Sequence, residues 1–186
     1  PNFASESMLS VLQDVASETG IENLNIVQSS WEEAKVKCAD VVLCAHVVYG
    51  VEEIGTFVRK LTAYSRRLVL LMMMMEWPLS GLLPVWRLVH NEERIPLPGV
   101  KEMLPVLWEM DIYPDLEMGP PISPRTFETR EKALEELRRR MYVKKGSSGD
   151  KRLFKALRQL LVEVPGGYTI RGAPLRRLVF LSWKSE

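Results

Sequence analysis

Cysteine and histidine are scarce in this sequence, with two of each among 186 residues. A disulfide framework is therefore excluded as the organiser of the fold, and no metal centre is expected. Net charge is lacking too: 25 Lys and Arg against 24 Asp and Glu leave +1, which supplies no overall field to draw in nucleic acid. No uncharged apolar run is long enough to span a membrane, and the N-terminus lacks the basic-then-apolar order of a signal peptide. The expectation is a soluble, cytoplasmic protein without a membrane partner. An initiating methionine is also absent, since the chain opens on Pro1. This suggests a processed or truncated chain with further sequence upstream.

What is present is ordinary globular material, 46% hydrophobic and 26% charged, in the size range of one α/β domain. Residues 1–186 are expected to form a single unit. The basic residues Arg138, Arg139 and Arg140, Lys144 and Lys145, and Arg176 and Arg177 with Arg171 nearby, are the only local candidates for RNA or DNA. Glu131, Glu135 and Glu136 lie within helical reach of the first run, so it reads as a solvated helix face.

Met8, Leu12, Val15 and Ala16 recur at helical spacing between Ser5 and Thr19, with Gly20 at a C-terminal cap position. Leu24–Gln28 reads as a short strand. Ala39–Val48 reads as a longer strand covered on both faces, with Cys44 buried inside it. A helix over Val51–Tyr64 then leads to a strand over Leu68–Met75, giving a βαβ unit. The four methionines Met72–Met75 invite a soft-metal reading, but adjacent strand residues face opposite ways and cannot converge on one ion. Residues 76–110 are expected to form a helical cap, with helices over Ser80–Asn91 and Val100–Met110, the second broken near Pro105. Ile112–Met118 is a candidate edge strand because of Pro114. Residues 126–164 read as a helical hairpin around Gly146-Ser147-Ser148-Gly149. Tyr168–Arg171 and Leu175–Lys184 read as a terminal pair of strands, with Val179, Leu181 and Trp183 on one face and Leu178, Phe180 and Ser182 on the other.

The segment Asp40-Val41-Val42-Leu43-Cys44-Ala45-His46-Val47-Val48-Tyr49, followed by a helix and then Arg66-Arg67-Leu68-Val69-Leu70-Leu71, resembles the fourth and fifth strands of class I S-adenosylmethionine-dependent methyltransferases. The order of strand, helix, strand and terminal hairpin resembles the second half of that sheet. The resemblance implies an α/β, Rossmann-like fold, N-terminally incomplete, with a C-terminal antiparallel hairpin and added helices. Phe127-Glu128-Thr129-Arg130-Glu131, leading into a basic helix, resembles bacterial members of unassigned substrate. In open α/β sheets, ligands sit beyond the carboxyl ends of the strands. The resemblance therefore implies S-adenosylmethionine as cofactor, held by Ala45, His46, Val47 and Tyr49, with Ser30 and Trp31 beside the adenine. Each has a structural alternative, Trp31 as core and His46 as a satisfied strand-end group. Glu76, Trp77 and His90 lie where family members place substrate contacts, although no general base is assigned and the acceptor is unknown.

This chain departs from the family at its front. The glycine-rich turn after the first strand, and the acidic residue that binds the ribose, are both missing from the sequence. Ser5–Thr19 then corresponds to the helix after the second strand, and Pro1-Asn2-Phe3 to a remnant of the preceding turn. The Leu24 strand is left without an evident partner, an open sheet edge invites pairing, and the chain alone is expected to bind cofactor poorly and to be inactive. Two further readings follow. One is a non-catalytic, methyltransferase-like module that binds protein or RNA; the other is a nucleotide-dependent oxidoreductase, which the terminal hairpin fits less well.

Overall fold

Ten residues from Ser65 to Met74 form the strand around which the main sheet is built, in a computed structural model that describes residues 6–185, with side chains from Met8 onward. Along the chain, α1 (Glu6–Glu18) precedes β1 (Ala39–Ala45), α2 (Ile54–Ala63) and β2 (Ser65–Met74). Then come α3 (Leu83–His90), α4 (Val100–Glu109), β3 (Asp115–Ile122), α5 (Arg130–Arg140) and α6 (Ser148–Leu160). The chain closes with β4 (Leu161–Val164), β5 (Gly167–Ile170) and β6 (Arg176–Lys184). The sheet order is β1-β2-β6-β3, with β1 and β2 parallel and β6 antiparallel to both its neighbours.

The alternation of Val69, Leu71 and Met73 with Val179, Leu181 and Trp183 decides which face of the sheet is covered. These residues are buried against Phe57, Val58 and Leu61 of α2 and Val100, Met103 and Leu107 of α4. Met72 and Met74 point the other way and stay half-buried, as a period of two requires. Helix α4 starts hard against the end of β2. The Val100 amide donates to the Met75 carbonyl at 3.2 Å, and a Cβ on Gly99 would sit 2.4 Å from the same oxygen, so only glycine permits this approach. Pro105 does not break α4, which runs on to Glu109. Proline there removes one intrahelical hydrogen bond, while burial of Val100, Met103 and Leu107 holds the helix down.

A second apolar core joins Val85 and Val89 of α3, Leu137 of α5, Leu153 and Leu157 of α6, and Ile170 of β5. Residues 126–164 contain the helical hairpin, α5 and α6, although α6 ends at Leu160 and the chain continues as strand β4. The hairpin's turn is fixed by Asp150, which accepts two hydrogen bonds from Arg138, at 2.8 and 3.2 Å, and one from the Gly146 amide at 2.8 Å. The Arg138 guanidinium and that amide hold the Asp150 carboxyl below its ordinary range. Arg140 pairs with Glu136, whereas Arg139 is exposed, so the basic run is a partly neutralised helix face.

A C-terminal antiparallel hairpin is present, but it is formed by β4 and β5, and the expected pairing of residues 168–171 with 175–184 does not occur. After Gly172 the chain leaves that hairpin and β6 inserts between β2 and β3. The edge strand near Pro114 starts three residues later and ends four later, at Asp115–Ile122. Its prolines, Pro120 and Pro121, fall at a register shift on the sheet edge, where a missing donor is tolerated.

Residues 24–28 are not a strand. A lone strand cannot satisfy its own backbone, and the described residues offer no partner beyond β1. Leu24 and Val27 are exposed as a result. Strand β1 is accordingly a sheet edge, with Val41 48% and Leu43 62% exposed. Helix α1 forms, ends on Gly20 at φ +70°, and buries Ala16, while Met8, Val11, Leu12 and Val15 face solvent. Pro1–Phe3 lie outside the described residues.

Candidate functional site

Strand β1 ends sooner than its apolar run, because His46 takes φ +58°. Left-handed backbone is uncommon outside glycine, and it turns the chain out of the sheet into a short 3-10 turn at Val48–Gly50. The turn is anchored at both ends. The His46 amide donates to the Met72 carbonyl at 2.9 Å, and the Met74 amide donates to the Tyr49 hydroxyl at 2.7 Å. The Tyr49 hydroxyl can donate a hydrogen bond to His46 Nδ1, 3.0 Å away, which satisfies both groups when the imidazole hydrogen is on Nε2. Burial raises the Tyr49 phenol above its usual range, against a smaller opposing effect of the Met74 amide, so it stays protonated and able to donate.

Ala45, His46, Val47 and Tyr49 are thus gathered at the carboxyl ends of β1 and β2, with His46 and Val47 exposed and the other two half-buried. Ser30 and Trp31 form a separate turn. Ser30 Oγ accepts from the Glu33 amide at 3.3 Å. The Trp31 ring lies 5.8 Å from that of Tyr64 and 6.3 Å from that of Phe57, with Lys60 Nζ 5.0 Å over its face. Lys60 also donates to the carbonyls of Trp31, Glu32 and Ala34, at 2.7, 2.9 and 2.8 Å, which fastens the turn to α2. Among the described residues, no hydrogen bond or ring contact joins this turn to His46 or Tyr49.

The positional substrate candidates divide. Glu76 is exposed, pairs with Lys101 at 3.2 Å, and lines a cavity of about 230 Å³ with Met75, Ser80, Pro174, Leu175, Arg176 and Arg177. Trp77 is buried under the Arg94 guanidinium, which also covers Trp86. His90 donates from Nε2 to the Met141 carbonyl at 3.0 Å and stacks on Trp86, so it is a satisfied group of the second core. The sequence offered Arg176 and Arg177 only as local nucleic-acid candidates and Ser80 only as a helix start. No local motif marks the cavity, whose walls come from segments about 100 residues apart.

No family model matches the chain, and no curated protein matches it. Solved structures do. The "putative methyltransferase" of Bacillus halodurans C-125 superposes with a TM-score of 0.59 at 14% identity, over 97% of this chain and 80% of that one. The MccD protein superposes with a TM-score of 0.54 at 11% identity, over 98% of this chain and 77% of that one. At such identities the likeness is one of fold. With β6 inserted antiparallel between β2 and β3, beside the parallel pair β1 and β2, this chain has the fold of the class I S-adenosylmethionine-dependent methyltransferases.

Proposed function

We propose that the chain is the acceptor-side part of an S-adenosylmethionine-dependent methyltransferase, and that Ala45, His46, Val47 and Tyr49 form the wall nearest the cofactor's methionine end. The observation that carries this reading is the strained turn at the end of β1, where left-handed backbone at His46 is held on both sides by hydrogen bonds to β2. Backbone strain of this kind is kept where the surrounding structure over-determines it, often at ligand sites. The residues suit a sulfonium ligand: small Ala45 leaves room, exposed Val47 offers an apolar surface, and none of the four is a lysine or arginine. Ser30 and Trp31 would flank the adenine end.

When bound, the cofactor supplies an already activated methyl group, so the protein's task is alignment and exclusion of water. Tyr49 fixes the turn, and His46 presents Nε2–H at its exposed edge. The helical segments at 76–110 would cover the acceptor, and a cytoplasmic location suits the reading. No described helix is long and apolar enough to cross a membrane.

A calorimetric titration of S-adenosylhomocysteine into the longest natural form, with this chain alongside, tests the proposal. Micromolar binding, abolished by Val47→Asp, is expected for the long form. Absence of binding to both would overturn the enzyme reading. It would favour the non-catalytic module, for which the exposed β1 edge is the supporting observation.

A further inference from the structure

Five arginines of this molecule are held in ion pairs. Arg138 is paired with Asp150, Arg125 and Arg140 with Glu136, Arg66 with Asp40, and Arg87 with Glu93. Arg176 and Arg177 differ, for neither has an ion-pair partner among the described residues. Arg176 Nη2 donates to the Ser123 carbonyl at 3.0 Å, but its Nε is buried and has no hydrogen-bond partner. Arg177 reaches only the Met118 sulfur, at 3.6 Å. A charged donor withdrawn from water without an acceptor is costly, and the residue that carries it lines, with Arg177 and Ser80, an open space of about 230 Å³. Glu76, the one carboxylate on that wall, is engaged with Lys101.

The cavity lies at the same end of the sheet as the β1 turn, beyond the carboxyl end of β2. Consecutive amides of the chain leaving β2 point opposite ways, Met74 to the Tyr49 hydroxyl and Met75 to the Arg177 carbonyl at 2.8 Å. The turn and the arginines therefore flank the end of β2 on its two sides, separated by about two strand spacings, or roughly 10 Å. A molecule anchored by an anionic group at the arginines could extend a nucleophile back across Met74 and Met75 toward the turn.

We propose that this cavity is the acceptor site, and that it takes a small molecule whose carboxylate or phosphate is gripped by Arg176 and Arg177, with Ser80 as an added hydrogen-bonding group. The word acceptor rests on the methyltransferase reading; the anion site rests on the cavity and its unpaired guanidinium groups. A nucleic acid is the poorer fit, since the site is a walled recess and the net charge of +1 gives no extended basic track.

Binding of phenyl phosphate and of benzoate to the whole chain, measured by calorimetry with benzyl alcohol as the uncharged control, tests this. One or both anions should bind, and the tighter of the two identifies the preferred group. Arg176→Gln and Arg177→Gln should each weaken binding roughly ten- to a hundredfold. Arg176→Lys should fall between, and Arg158→Gln, on the far helix, should match wild type. Thermal melts of every variant guard against misfolding. Unchanged affinity in both glutamine variants, benzyl alcohol binding as tightly as the anions, or preference for a short RNA that Arg158→Gln weakens equally, would each overturn the proposal. S-adenosylhomocysteine titrated into the same samples separates the two claims. Anion binding without it leaves the anion site and removes the methyltransferase reading, whereas its binding without anions does the reverse.

Discussion

Replacing Tyr49 by Phe removes one oxygen from the centre of the candidate site, and its consequence can be worked from the hydrogen bonds alone. The ring stays, so the half-buried apolar packing beside Val48 and Val51 is preserved. What is lost is the acceptor for the Met74 amide, held at 2.7 Å, and the donor to His46 Nδ1. The His46 contact is exposed and contributes little. The Met74 amide is part-buried at the end of β2, and leaving such a donor unpaired costs about 1–3 kcal/mol. For a chain of this length each kcal/mol moves the midpoint by about 2–4 °C, so the melting temperature should fall by roughly 2–12 °C. Calorimetric or circular-dichroism melts at neutral pH measure it. His46→Asn is the matched control, since Asn tolerates the left-handed backbone and leaves Tyr49 on Met74; it should change stability by less than about 0.5 kcal/mol. Tyr49→Phe melting with wild type, or His46→Asn falling as far, would refute the assignment of the anchor to the Met74 bond.

Acid should weaken the second core first. Burial pushes Glu136 up, but the Arg140 hydrogen bond and the charges of Arg125 and Arg140 outweigh it, and Asp150 is lowered by Arg138 and the Gly146 amide. Both carboxylates thus contribute stability that is complete above their unfolded range, near about 4, and lost as pH falls through the folded values. Urea midpoints between pH 7 and 3 should show this loss, and the double variant Glu136→Gln, Asp150→Asn should flatten it; an equally steep acid limb in that variant would count against the claim. Burial raises the Cys44 thiol to about 11, while Cys38 is exposed. A thiol reagent at pH 8 should therefore modify one cysteine quickly in the native protein and two after denaturation, and two fast thiols at the outset would contradict the fold. Val41→Lys with Leu43→Lys should leave stability within about 0.5 kcal/mol, since both side chains are largely exposed, yet reduce self-association through the β1 edge. Sedimentation over a concentration series decides whether that edge is adhesive.

Several features were legible because their determinants are local. Alternation separated Val179, Leu181 and Trp183 from Leu178, Phe180 and Ser182 as the two faces of β6, of which the structure buries the first, and the apolar run from Leu68 located β2 to within a few residues. Ser147 and Thr129 accept hydrogen bonds at the starts of α6 and α5, which is why the helical hairpin could be read from its turn. The end of β1 was harder. Nothing in Ala45-His46-Val47 announces a left-handed residue, and the strand stops there because Tyr49 and Met72 hold the turn to β2.

The sequence by itself determined the apolar periods, the absence of disulfides among its two cysteines, and the resemblance around Ala39–Met75 that led to the fold. Tertiary structure alone decided the pairings. Residues 24–28 carry strand-like composition but no strand, because a strand exists only when a second segment accepts its hydrogen bonds. Residues 168–171 and 175–184 look like one hairpin but join different sheets, since β6 enters between β2 and β3 and buries Val179, Leu181 and Trp183 beside Val69, Leu71 and Met73. The pairing of the arginines was settled the same way. Arg138 and Arg176 look alike in the sequence, and only folding brings Asp150 to the first while leaving the second on a cavity wall without an ion-pair partner.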